Sequence, residues 1–88
     1  MIERETTVVN PLGLHARPAA QLVRLASSFA SEIELVKDGM PVNGKSIMGV
    51  MMLSAESGSS ITVRARGDDE SEAVAALSQL IASGFGES

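Results

Sequence analysis

The chain has 88 residues, 44% of them hydrophobic, and a formal net charge of −4, so a single domain over residues 1–88 is expected, too small for a deep catalytic cavity. It has no cysteine and one histidine, His15, which excludes disulfides, thiol nucleophiles and multi-histidine metal centres. The acidic balance and the lack of Trp and Tyr argue against nucleic-acid binding, and no apolar run approaches the ~20 residues needed to cross a membrane.

The N-terminus, Met1-Ile2-Glu3-Arg4-Glu5, has no signal-peptide pattern, so a cytoplasmic protein is expected. A first strand is predicted from Ile2 to Val9, stopped by the turn residues Asn10-Pro11-Leu12-Gly13. From Ala16 to Ser28 the spacing turns helical, with Ala19, Leu22, Val23 and Ala26 on one stripe and Arg17, Gln21 and Arg24 on the other side. Pro18 fits the first turn of that helix, where a missing N–H costs nothing. Glu32 to Lys37 alternates as a half-buried strand, and Asp38-Gly39 is a hairpin signal leading to a short return strand, Met40 to Asn43. Pro41 has no N–H for a ladder, so the return strand belongs at a sheet edge.

Ser46 can cap a short helix from Ile47 to Leu53. Ile61, Val63 and Ala65 mark a fourth strand ending at Arg66. A last helix follows Gly67-Asp68-Asp69, with Asp69 and Glu72 spaced as a capping box and Gly84 as its stop. The acidic cluster of Asp68, Asp69, Glu70 and Glu72 reads as a solvated helix start rather than a cation site. The order is β-α-β-β-α-β-α, an α+β two-layer domain whose hairpin pairs antiparallel.

Chemistry concentrates in Gly13-Leu14-His15-Ala16-Arg17-Pro18. A helix start offers unsatisfied N–H groups and a partial positive charge, which suits a phosphate. Neutral imidazole is a good nucleophile near pH 7, and the Arg17 fork matches phosphate oxygens. Against this stands the plain alternative of a solvated or capping histidine. No paired base and no nucleotide-binding loop accompany it, and Gly44-Lys45-Ser46 lacks the preceding glycine of a P-loop. A carrier needs neither, because partners complete the site; no metal and no cofactor is expected.

The helix after Ser46 is apolar nearly all round. Val50 and Leu53 share one side, and Ile47, Met48 and Met51 share another. Two readings are open for the methionines: a docking patch or core filling. Ser46 likewise has two readings, a plain cap or a phosphorylation site whose added charge would sit beside that patch.

Gly13-Leu14-His15-Ala16-Arg17-Pro18-Ala19 resembles the active-site signature of the histidine-containing phosphocarrier (HPr) family, and Lys45-Ser46-Ile47-Met48-Gly49-Val50-Met51 resembles its regulatory-serine segment. The two stand about 30 residues apart, as in that family, and the likeness spans essentially the whole chain. It implies an open-faced β-sandwich, a four-stranded antiparallel sheet covered on one face by three helices. It implies that Enzyme I phosphorylates His15 on a ring nitrogen, that Arg17 contacts the phosphoryl group, and that an enzyme IIA domain receives it. It further implies an HPr kinase/phosphorylase acting on Ser46; a competing reading is a regulatory interaction module in which phosphorylated Ser46 is the signal, read by a transcriptional regulator. By the same likeness Ala16, Ala20, Arg24, Ile47, Met48 and Met51 form the docking face. The tail Ile81 to Ser88 is as similar to the nitrogen-related paralogue as to the sugar-related one, so a nitrogen-branch carrier stands as the alternative. No role is assigned to Ser54-Ala55-Glu56-Ser57, which is unusually polar for its position.

Overall fold

The computed structural model describes residues 1–87. Four strands, β1 (Ile2–Thr7), β2 (Glu32–Lys37), β3 (Met40–Asn43) and β4 (Ser60–Arg66), form one antiparallel sheet in the order β1-β4-β2-β3. Three helices, α1 (Ala16–Ser27), α2 (Ile47–Met52) and α3 (Glu70–Ala82), complete the expected β-α-β-β-α-β-α order, and a 3₁₀ turn (Gly84–Gly86) follows. No helix among the described residues is long and apolar enough to cross a membrane.

Strand alternation sorts the sheet into two faces. Ile33, Leu35, Ile61, Val63 and Ala65 point inward and are buried, meeting Leu22 and Ala26 of α1 and Val74, Leu77 and Ile81 of α3 in one core. The opposite face is polar, and there Arg64 bridges Glu3 at 3.0 Å and Glu34 at 3.4 Å across three strands. These pairs are exposed and contribute little to stability. Hence the three helices cover one face only, as the family likeness implies.

Asp38 and Gly39 both take positive φ, 52° and 78°, as the tight hairpin requires. Pro41 lies on β3, an edge strand, where its missing donor costs no ladder bond. The first strand ends earlier than expected. Val8 leaves the ladder and exchanges hydrogen bonds with the loop before β4, accepting from Gly58 N–H at 2.7 Å and donating to Ser59 at 2.9 Å.

The expected capping box at α3 does not form. Asp69 stands at the N-cap, but its side chain makes no capping bond. It turns away to accept the backbone N–H groups of Ala30, at 2.8 Å, and Ser31, at 3.0 Å. Glu70, not Glu72, ties down the turn, accepting from Gly67 N–H at 3.1 Å. A tertiary contact with two amides outcompetes one local cap.

Candidate phosphoryl-transfer site

The site starts with a turn that only glycine can make. Gly13 has φ +67°, and a side chain there would collide with the carbonyl of Ala55. The close approach lets Leu14 N–H donate to that carbonyl at 2.9 Å. Leu14 is buried beside it, and the next residue, His15, becomes the N-cap of α1 in extended conformation. The polar segment after α2 thereby acquires a role: Ala55 is a buried backbone prop for the histidine turn.

The His15 side chain is 35% exposed and caps no amide of its helix. Its carbonyl accepts from Ala19 N–H at 3.0 Å, which starts the helical ladder. Pro18 has no N–H, so the open donors of this helix end belong to Ala16 and Arg17. Neither amide meets an acceptor among the described residues, and the first turn carries no acidic side chain. Arg17 is exposed and likewise lacks an acidic partner among them. A half-open imidazole thus caps a helix end that has two unfilled backbone donors and an exposed arginine two residues on, an arrangement suited to holding an anion.

One contact escaped sequence reasoning. Glu87 places Oε2 3.2 Å and Oε1 3.4 Å from Nε2 of His15. Asn10, only 2% exposed, donates through Nδ2 to the Gly13 carbonyl at 2.7 Å and to Glu87 Oε1 at 3.0 Å. Both neighbours are acceptors, so the amide nitrogen must face them; its Oδ1 is left buried without a partner. Nδ1 of His15 has no partner among the described residues. No local pattern announces a carboxylate arriving from the far end of the chain.

The α2 segment resolves the two-sided helix. Val50 and Leu53 are buried, whereas Ile47, Met48 and Met51 are 44%, 72% and 41% exposed. Met52, unremarked in the sequence reading, is also open, as are Val9 and Leu12. α2 packs on α1, on which Ala16 and Arg24 are exposed and Ala20 is half-buried. Ser46 caps α2, its hydroxyl accepting Gly49 N–H at 3.1 Å. Lys45 just before it reaches back to the Phe29 carbonyl at 2.7 Å, fastening α2 to the end of α1.

These features define a small open-faced α+β domain that carries its one histidine, half-exposed, at the N-cap of the first helix. Residues 2–83 match the family described as PTS HPr component, phosphorylation site. The phosphocarrier protein HPr of Cupriavidus necator is 52% identical over 87 residues, covering 99% of this chain and 98% of its own. The HPr-like protein Crh of Halalkalibacterium halodurans is 51% identical over 81 residues, covering 92% and 96%. The crystal structure of HPr from Thermoanaerobacter tengcongensis superposes with a TM-score of 0.96 at 50% identity, covering 100% of this chain and 99% of that one. The chain belongs to the HPr phosphocarrier family of the phosphotransferase system.

Proposed function

We propose that this chain is a stoichiometric phosphoryl carrier, acting as one domain over residues 1–88 in the cytoplasm. His15 accepts the phosphoryl group from phosphorylated Enzyme I and yields it to an enzyme IIA domain. The observation that carries this reading is the half-open imidazole at the N-cap of α1, with the Ala16 and Arg17 amides unfilled beside it. Transfer of this kind is mainly positioning and charge stabilisation, which a helix end and a guanidinium supply without a cavity. The exposed face made by Ala16, Ala20, Arg24, Ile47, Met48 and Met51 receives each partner in turn, with Arg17 contacting the phosphoryl oxygens. The test is labelling with phosphoenolpyruvate and Enzyme I. His15→Ala is expected to lose all acid-labile label and Ser46→Ala to keep it; label retained in the first variant overturns the reading.

A second, regulatory reading is favoured by Ser46, which is half-buried at the start of α2 and next to exposed Ile47 and Met48. A phosphate there adds about −1.5 to −2 charge beside the apolar docking residues. It sits at a helix N-terminus that tolerates it while repelling an acidic or apolar partner. An ATP-dependent HPr kinase/phosphorylase would write this mark and a transcriptional regulator would read it. Incubation with ATP and that kinase should yield acid-stable phosphoserine; none formed means no such role. A nitrogen-branch carrier would use the same His15 chemistry with a different enzyme IIA partner. Transfer rates to sugar-type and nitrogen-type enzyme IIA domains, measured side by side, distinguish the two.

A further inference from the structure

The carrier chemistry described so far makes no use of the carboxylate lying against His15. Glu87 approaches Nε2 with both oxygens, at 3.2 and 3.4 Å, from 72 positions away in sequence. It is fastened from two directions. Asn10 Nδ2, in an almost fully buried side chain, donates to Oε1 at 3.0 Å. On the tail itself Phe85 is buried, and Glu87 N–H donates to the Gly84 carbonyl at 3.0 Å. Phe85 holds a positive φ of 59°, a conformation unfavourable for an aromatic residue and retained here because its ring is anchored.

A carboxylate only accepts hydrogen bonds, so the nitrogen facing it carries the hydrogen. In the neutral ring that nitrogen is Nε2, and the lone pair then belongs to Nδ1. We propose that Glu87 is a positioning residue for phosphoryl transfer: through Nε2–H it fixes the tautomer and rotation of the His15 ring, keeping Nδ1 bare. The inference rests on the carrier reading and adds to it a residue outside the helix-end motif.

The chemistry balances without any proton leaving the ring. The Nδ1 lone pair forms the N–P bond while the bond from phosphorus to the phosphorylated donor breaks, its electron pair departing with the donor. Nε2 keeps its hydrogen, and the ring takes on positive charge facing the Glu87 carboxylate, which favours that charged form. When an acceptor attacks phosphorus, the N–P pair returns to Nδ1 and the neutral ring is restored with the same tautomer. A carboxylate that orients an imidazole and steadies its cation is the established logic of hydrolytic triads, here delivered from 72 positions away in sequence.

The test uses the full chain with ¹⁵N-labelled histidine. Native protein should show the neutral ring as the Nε2–H tautomer. Glu87→Ala should develop a clear Nδ1–H population and, while still folded by circular dichroism, accept phosphoryl groups from phosphorylated Enzyme I about tenfold more slowly. Glu87→Gln keeps an oxygen able to accept from Nε2–H, so it should recover the native tautomer and part of the rate. An unchanged tautomer ratio in Glu87→Ala, or an unchanged rate, overturns the proposal. If the native chain takes no label on His15, the carrier reading falls and the transfer role of Glu87 with it. The tautomer measurement then still reports whether Glu87 holds the ring.

Discussion

Asp69 reaches Ser31 with a single carboxylate oxygen that accepts both the backbone N–H, at 3.0 Å, and the side-chain hydroxyl. Its second oxygen accepts Ala30 N–H at 2.8 Å. The contact joins the segment between α1 and β2 to the start of α3, two parts of the chain with no sequence proximity.

This clamp makes folding sensitive to acid. The Ser31 hydroxyl, and after it the Ala30 amide, hold the Asp69 carboxyl below its ordinary value. A folded-state value below the unfolded one stabilises the fold at every pH above the ordinary Asp range, and that stabilisation is lost as pH falls through the folded-state value. Glu70, lowered mainly by the Gly67 amide, adds in the same direction. Urea titrations of native protein should therefore show stability falling with acid below about pH 4. Asp69→Asn should be less stable at neutral pH and lose less on acidification.

Ser46→Ala removes the hydroxyl that accepts Gly49 N–H at the start of α2. A lost N-cap costs about 1 kcal/mol. Chemical denaturation should register that cost. Phosphoryl acceptance at His15 should stay near native, because Ser46 acts on a different helix.

Met48 and Val50 lie two residues apart with opposite exposures, 72% and 0%. Met48→Glu should change stability by no more than about 0.5 kcal/mol, yet raise the Kd for Enzyme I, measured by calorimetry. Val50→Ala should cost about 2 kcal/mol through lost burial and a cavity, with docking affinity preserved in the folded fraction. Equal affinity of native protein and Met48→Glu for Enzyme I would remove α2 from the docking face.

Gly13→Ala forces a side chain into a left-handed backbone and against the Ala55 carbonyl. Left-handed geometry alone costs about 1–2 kcal/mol for a residue with a Cβ, so the total loss should exceed that. Since the turn places the N-cap of α1, the surviving folded protein should also be phosphorylated more slowly. The paired measurements are urea unfolding and initial labelling rate.

Much of this was legible in the chain because the signals were local. The stripe through Ala19, Leu22 and Ala26 marks the buried side of α1, the Asp38-Gly39 pair sets the hairpin, and Pro41 predicts the edge. What escaped was long-range. Asp69 and Glu72 have capping-box spacing, but spacing cannot reveal that two amides near residue 30 offer Asp69 a better partner. The two faces of α2 were separable on a wheel, yet which one met the sheet depended on where α1 packs. Glu87 carries no motif at all; only the folded tail brings it to His15. The Ser54–Ser57 segment looked too polar because its contribution is a main-chain carbonyl, which side-chain chemistry does not report.

The bare side of the sheet has a practical consequence. Glu5 and Thr62 face each other there, next to the Arg64 ion pairs and directed away from the helical layer. A dye or surface tether attached at Glu5 would leave α1, α2 and the His15 turn unencumbered. Successive hand-offs could then be watched on one immobilised molecule, with each visitor competing for the same unobstructed side.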